Sequence, residues 1–220
     1  MRIAIIADSF APQRTSAAVQ LRDLAKEMIE QGHDPTVLVP AAGLSSGWER
    51  EMVDGIDVLR LRAPRTKDIG LIRRTLGEFM MPFAMLRNLR KSPLASENWE
   101  GIVWYSPSIF LGPVVNSLKK ARSYRSYLII RDIFPEWAVD MGLMGKGLPY
   151  QFFKSVANYQ YSVADVIGVQ TAGNQGRFSE WRKGTDRRVE VLQNWLAPAS
   201  DIGCGINIAG SPLAGRKIFV

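Results

Sequence analysis

The sequence has a single cysteine and a single histidine among its 220 residues. The lone Cys204 excludes an internal disulfide and any zinc site built from several thiolates. His33 follows a helix end, where we interpret it as a turn residue, and it leaves few other ligands for a catalytic metal. We therefore expect neither a metal nor a cofactor, and a reducing cytoplasm fits the cysteine content best.

Long apolar runs are also missing. No stretch reaches the roughly 18 uninterrupted apolar residues that a membrane-spanning helix needs. The amino-terminal run MRIAIIA is short and is followed by Asp8, which is not the pattern of a signal peptide. Neither G-x-G-x-x-G nor a P-loop motif follows the first apolar run, so the usual dinucleotide and P-loop chemistries are disfavoured.

What the sequence does contain is an alternation of short apolar runs with helical periodicity. The first helix is predicted to start at Ser16 as N-cap and to stop at Gly32. This alternation predicts an α/β fold, a Rossmann-like, doubly wound and mainly parallel sheet of about seven strands, with ligands at the carboxyl ends of the strands. The predicted strands are residues 2–7, 35–39, 56–61, 101–106, 126–131, 165–170 and 189–193.

The composition changes near residue 196. We predict one domain over residues 1–195 and a Gly- and Pro-rich linker over residues 196–215. Residues 216–220, which read RKIFV, are predicted to begin a truncated second domain.

Two loops stand out as candidate binding segments. The loop from Ser9 to Ser16 connects the first strand to a helix, where backbone N–H groups and Arg14 suit an anion or sugar hydroxyls. The alternative is an ordinary connection with a solvated arginine.

The segment RDIFPEWAVDMG, residues 131–142, carries carboxylates that suit sugar hydroxyls or proton transfer, and it carries aromatic rings that suit a sugar face. Its alternative is a structural ion pair of Arg131 with Asp132 or Glu136.

Two further strand ends are ambiguous. Thr171 and Asn174 in QTAGNQGRF suit helix capping and ligand contact equally well. The same ambiguity holds for residues 193–195, QNW.

A basic window lies between residues 60 and 91, where nine basic and two acidic residues give a net charge of +7. Within it, residues 71–91 interleave arginine with Leu, Ile, Met and Phe, and Pro82 is expected to kink or restart the helix. This pattern favours an anionic membrane surface, because Met and Leu suit lipid better than bases, and we expect no nucleic-acid partner. A solvated basic helix and a nucleic-acid site are the alternatives. The predicted membrane-facing residues are Arg73, Arg74, Arg87 and Arg90.

Several segments together resemble the amino-terminal domain of retaining GT-B glycosyltransferases of family 4. They are SFAP after the first strand, GHDPTVLVP, RDIFPEWAVDMG, VQTAGNQ and VLQNW, with RDIFPE the most specific. Among these enzymes the chain is most similar to bacterial O-antigen and exopolysaccharide enzymes akin to N-acetyl-L-fucosamine transferases. The resemblance spans residues 1–194, and GRKIFV resembles the first strand of the family's second domain.

The resemblance implies transfer of a sugar from a nucleotide diphosphate donor, with UDP as the expected nucleotide, to a polyprenyl diphosphate-linked acceptor, with retention. It implies lipopolysaccharide synthesis at the cytoplasmic face of the inner membrane. Asp132 and Arg131 would lie nearest the reaction, and Arg131, where many members have histidine, would act electrostatically. The residues implied to bind the acceptor are Phe10, Pro12, Gln13, Arg14, Thr15, Ser16, Glu136, Thr171, Asn174 and Asn194.

The donor would bind mostly to the second domain, whose carboxylate-pair motif is not in this sequence. We therefore expect the isolated chain to be inactive. The alternatives are a noncatalytic module that binds membrane and acceptor, or a nucleotide-dependent oxidoreductase or epimerase, which the missing glycine fingerprint and the missing Tyr-x-x-x-Lys spacing disfavour.

Overall fold

The computed structural model describes residues 1–122, 124–198 and 214–215. Strands and helices alternate along the described chain, as the sequence predicts. The strands are β1 (Arg2–Ile6), β2 (Asp34–Ala41), β3 (Trp48–Val53), β4 (Ile56–Arg62), β5 (Gly101–Ser106), β6 (Arg125–Ile130), β7 (Val166–Val169) and β8 (Arg188–Val191). The helices are α1 (Ser16–Glu30), α2 (Leu71–Leu89), α3 (Gly112–Arg122), α4 (Glu136–Asp140), α5 (Leu148–Val163), α6 (Ala172–Gln175) and α7 (Ser179–Arg182), with a 3-10 turn at Gly176–Phe178.

The described strands form one sheet in the order β3-β4-β2-β1-β5-β6-β7-β8. All neighbouring strands pair in parallel except β3, which is antiparallel to β4. The Rossmann-like, mainly parallel fold is therefore confirmed, with eight strands instead of about seven. The additional strand, WEREMV, lies at the sheet edge. Because its side chains are charged and half-exposed, it lacks the apolar run by which the other strands are predicted.

Helices cover both faces of the sheet. On one face, α2, α3 and α5 pack over a large apolar cluster that includes Leu38, Trp104 and Leu128. On the other face, α1 packs Leu21 and Ala25 onto a smaller cluster. Alternate residues of each strand enter the two clusters because successive side chains of a strand point to opposite faces.

Two local expectations about helices need correction. The N-cap of α1 is Thr15, whose Oγ1 accepts a hydrogen bond from the Ala18 N–H at 3.2 Å, and Ser16 is the first helical residue. Pro82 does not restart α2, which is continuous from Leu71 to Leu89. Burial of Met81, Pro82 and Met85 offsets the helical hydrogen bond that proline cannot make.

The predicted end of α1 at Gly32 is confirmed. Gly32 has a φ of +80°, and the His33 N–H donates to the Met28 carbonyl at 2.8 Å, which closes the helix. The predicted domain and linker boundaries stay predictions. Residues 216–220 lie outside the described part of the chain, as do Cys204 and most of the predicted linker.

Candidate functional site

A cavity of about 1000 Å³ lies at the carboxyl edge of the sheet, where β1, β2 and β4 end beside α2. We call it the basic cavity because five cationic side chains line it. They are Arg60, Arg62, Arg65, Lys67 and Arg87. Parallel strands bring their carboxyl ends to the same edge, so residues far apart in sequence meet there.

Two of these cations are engaged within the protein. Arg60 pairs with Glu51 and donates from Nη2 to the Ala11 carbonyl at 2.6 Å, which ties β4 to the loop after β1. Arg65 forms a 3.6 Å ion pair with Asp68, in which both side chains are exposed. Exposed ion pairs of this kind contribute little.

The other three cations share the basic cavity with one carboxylate, that of Asp8, which offsets part of their charge. Lys67 donates from Nζ to Gln13 Oε1 at 2.9 Å, a neutral acceptor. Within the described ranges, Arg62, Lys67 and Arg87 form no ion pair with a carboxylate. A site with this charge suits a phosphate or diphosphate.

Asp8 is the one carboxylate among the residues that line the basic cavity. It follows β1, and burial raises the pKa of its carboxyl group above 3.8, although Lys67, a hydrogen bond from the Ser9 hydroxyl at 3.3 Å, and Arg74 partly oppose the shift. A carboxyl group held in this way can accept or donate a hydrogen bond. From the sequence, Asp8 is predicted only to follow the first apolar run, and it is not among the predicted site residues.

The predicted residues of the first loop divide between core and surface. Phe10 is fully buried in the α1-side cluster, so its side chain anchors the loop to the core and does not face the cavity. Gln13 lines the basic cavity. The remaining predicted residues of this loop have exposed side chains. They are Pro12, Arg14, Thr15 and Ser16.

Arg131 follows β6 and points to the α1 side of the sheet. Its guanidinium carbon lies 4.8 Å from the centre of the Trp195 ring and 5.8 Å from that of Tyr105, and Nη1 donates to the Leu192 carbonyl at 2.7 Å. The alternative of an ion pair with Asp132 or Glu136 is not what the structure shows. Arg131 instead holds the carboxyl ends of β5, β6 and β8 together through cation–π and hydrogen-bond contacts.

The two nearby carboxylates have different surroundings. Asp132 is exposed at the sheet edge. Burial raises the pKa of the Tyr105 hydroxyl, the neighbouring Arg131 opposes this shift, and the charges of Asp132 and Asp8 add to it. Glu136 pairs with Lys154 in a separate cavity of about 430 Å³.

The remaining predicted acceptor residues are distributed over other parts of the edge. Thr171 occupies the N-cap position of α6 without making a side-chain cap hydrogen bond, which leaves its exposed hydroxyl open, and Asn174 is half-buried in α6. Asn194 lies apart from the basic cavity, in an apolar groove beside α1, where the Trp195 indole N–H donates to the Gln20 carbonyl at 3.0 Å.

Helix α2 presents an exposed apolar stripe beside the basic cavity. The four predicted membrane-facing arginines are all exposed, although Arg74 pairs with Glu78 at 2.8 Å and Arg87 also lines the basic cavity. The apolar stripe follows the helical repeat on the side opposite the core. Its residues are Ile72, Leu76, Phe79, Met80 and Phe83.

Among residues 1–122, 124–198 and 214–215, no helix has the length and apolar content required to cross a bilayer. The same residues contain no group of three or more His, Cys, Asp or Glu side chains arranged to hold a metal ion.

Solved glycosyltransferase structures share this fold. Sucrose-phosphate synthase from Thermosynechococcus elongatus superposes with a TM-score of 0.63 at 12% identity, over 86% of this chain and 47% of that one. A UDP-glucosyltransferase from Polygonum tinctorium capable of glucosylating indoxyl gives 0.58 at 10% identity, over 94% and 54% of the two chains. A UDP-forming trehalose-phosphate synthase from Burkholderia xenovorans, in complex with glucose-6-phosphate, gives 0.52 at 16% identity, over 82% and 43%.

The chain thus spans about half the length of each of these three proteins. No protein-family model matches the sequence, and no curated protein sequence matches it either. At these identities the likeness concerns the fold, which matches a Rossmann-like domain of GT-B glycosyltransferases.

Proposed function

We propose that this chain is the acceptor-binding domain of a retaining, family 4 glycosyltransferase of bacterial O-antigen or lipopolysaccharide synthesis. It would serve transfer from a nucleotide sugar, a UDP-sugar, to a polyprenyl diphosphate-linked saccharide. The observation that carries the proposal is the basic cavity, because it places an excess of cations at the carboxyl edge of a GT-B-like sheet. Fold alone would not select an activity.

The chain's own residues would bind and orient the acceptor. Asp132 is exposed on the edge where an acceptor sugar would approach, and Arg131 would act electrostatically while bracing that edge. Gln13 and Arg14 would bind the acceptor from the first loop. Most of the donor would be held by a second domain of the whole protein.

The exposed face of α2 supports a place on the cytoplasmic surface of the inner membrane. Its apolar stripe lies between exposed arginines, as in helices that lie flat in the interface. Each basic residue near an anionic leaflet contributes about 1 kcal/mol.

Co-sedimentation with vesicles tests the membrane part of the proposal. The variant with Arg73, Arg74, Arg87 and Arg90 changed to glutamate should lose the salt-sensitive binding to anionic vesicles that the unmodified chain shows. A matched control changes four exposed cations elsewhere to glutamate and should bind normally. Its positions are Lys120, Lys146, Arg182 and Lys183. Equal binding of both variants, or no binding by the unmodified chain, would refute a membrane-facing α2.

Ligand-observed NMR tests the acceptor part. A water-soluble, short-chain prenyl diphosphate sugar should bind the 220-residue chain, whereas UDP-N-acetylglucosamine should bind far more weakly. Binding of the nucleotide sugar alone would assign the chain to donor binding and refute the proposal. A noncatalytic module would bind the acceptor in the same way, so an assay of sugar transfer by the whole protein separates it from an enzyme.

A further inference from the structure

We propose that the basic cavity is the subsite for the diphosphate of the acceptor and that Asp8 is a specificity-determining residue that selects a glycosylated diphosphate over the bare anion. The inference rests on the proposed function for the identity of the ligand. The cation site itself depends only on the geometry of the cavity.

The cavity has the size and the charge for this group. Its volume of about 1000 Å³ lies at the upper end of the usual range for small-molecule sites, which accommodates a diphosphate together with the first sugar. Arg62, Lys67 and Arg87 approach from β4, the following loop and α2, so an anion between them would be contacted from three directions. Charge-assisted hydrogen bonds from such groups are roughly twice as strong as neutral ones.

Part of the cavity wall is already held in place without a ligand. Arg60 fixes the loop after β1 through the Ala11 carbonyl, and Asn88 donates to the Arg62 carbonyl at 2.7 Å, which fixes the end of β4 on α2. Helix α2 packs closely here, because a Cβ on Gly77 would lie 2.8 Å from the Arg65 carbonyl oxygen. An anion therefore meets a pre-formed backbone and has only the longer side chains to order.

The cavity also opens beside the apolar stripe of α2. Ala84 and Arg87 line the cavity. Met80 lies one turn before Ala84 on the same helix, and Phe83 lies one turn before Arg87. A lipid chain lying along the stripe would deliver its diphosphate to Arg87. The arrangement thus fits an amphiphile whose anionic head leaves the bilayer surface while its tail stays in it.

Asp8 explains how the cavity would reject bare anions. Its carboxylate lies among the cations and repels a second anion, which lowers the affinity for inorganic phosphates. A sugar on the diphosphate brings hydroxyl groups, and the half-buried carboxylate of Asp8 gains from such donors. Asp8 therefore favours the ligand that carries both groups.

Titration of the 220-residue chain with inorganic pyrophosphate tests the cation site. The double variant R62Q/K67Q should bind pyrophosphate at least about tenfold more weakly, because it loses two charge-assisted contacts. The matched double variant K120Q/K146Q removes the same charge from other exposed positions and should stay within about twofold of the unmodified chain. The inference is overturned if the unmodified chain does not bind pyrophosphate or if both variants lose equal affinity.

The variant D8N tests the selecting role. It should bind pyrophosphate several times more tightly than the unmodified chain and bind the short-chain prenyl diphosphate sugar more weakly. A change in the same direction for both ligands would refute selection by Asp8. Thermal melts of each variant confirm that it is folded.

Competition separates the possible sources of the anion. Pyrophosphate should displace the prenyl diphosphate sugar but should leave most of the binding to vesicles of plain anionic phospholipid in place, because Arg87 alone of the four membrane-facing arginines lines the cavity. Displacement from those vesicles would mean a general headgroup site, and tighter binding of UDP than of the prenyl diphosphate sugar would mean a donor site; either result overturns the acceptor assignment. If pyrophosphate binds in the cavity but no acceptor lipid does, the cation site stands and the proposed function fails.

Discussion

Removal of apolar side chains from the α2 stripe should weaken membrane binding without weakening the fold. Ile72 is 86% exposed and Leu76 is 62% exposed, so neither contributes much to the core. Full burial of such a side chain contributes about 1.5–3 kcal/mol. Scaled by these exposed fractions, the change of both residues to serine should cost about 3 kcal/mol of membrane affinity, or roughly 100-fold in the partition coefficient.

The assay is co-sedimentation with vesicles at a fixed fraction of anionic lipid, with thermal melts recorded in parallel. A single-residue comparison supplies the control. Met52 on the edge strand β3 is 66% exposed, a fraction similar to the 62% of Leu76. Leu76→Ser should weaken partitioning about tenfold and Met52→Ser should leave it unchanged. Equal effects of the two substitutions would show that binding follows general surface hydrophobicity and would refute the assignment of this face.

Three further predictions concern stability. Asp8→Asn should raise the Tm at pH 7, because burial raises the pKa of Asp8 and a charged carboxylate there opposes folding; the advantage should shrink as the pH falls through that raised pKa toward 3.8. Thr15→Ala should cost about 1 kcal/mol of unfolding free energy, measured by urea denaturation, because the N-cap of α1 is lost. Gly168→Ala should cost about 1–3 kcal/mol, because a Cβ there would lie 2.9 Å from Cε1 of Tyr127 in the packed sheet.

Two of these predictions have a matched control variant. Thr15→Ser keeps the capping oxygen and should be nearly neutral. Gly173→Ala adds the same methyl group in an exposed position with only Thr171 Oγ1 nearby, at 3.8 Å, and should cost less than Gly168→Ala. A lower Tm for Asp8→Asn at pH 7 would mean that attraction by Lys67 outweighs burial, and the interpretation of Asp8 would be wrong.

The sequence was sufficient for most of the sheet because parallel strands that are covered on both faces read as unbroken apolar runs. Residues 2–6 and 126–130 are examples. The same rule did not predict β3. This strand pairs with a neighbour on one side only and carries charged side chains, and both features are typical of an edge strand. Pro82 shows a second limit, since tertiary packing can outweigh a local helix-breaking preference.

The candidate site was harder to predict because its residues meet only through the topology. Asp8 and Gln13 follow β1, whereas Arg62 and Lys67 come some fifty residues later, and no local pattern joins them. The signal that could have found them was the order of strands, because β4 pairs with β2 and β2 with β1. The net charge of residues 60–91 indicates these basic residues in the sequence, but it does not separate the cavity cations from the membrane-facing ones.

Under the proposed function, that basic window would serve two tasks, anion binding in the cavity and docking on the membrane. All four side chains are exposed, but Arg62 and Lys67 line the concave basic cavity, where a bound anion would be partly enclosed, whereas Arg73 and Arg90 do not line that cavity. Binding to vesicles should therefore weaken steeply with ionic strength, and binding of pyrophosphate should weaken less. Because Arg87 belongs to both groups, its substitution should reduce both, and this residue is where docking on the membrane and capture of the acceptor would be coupled.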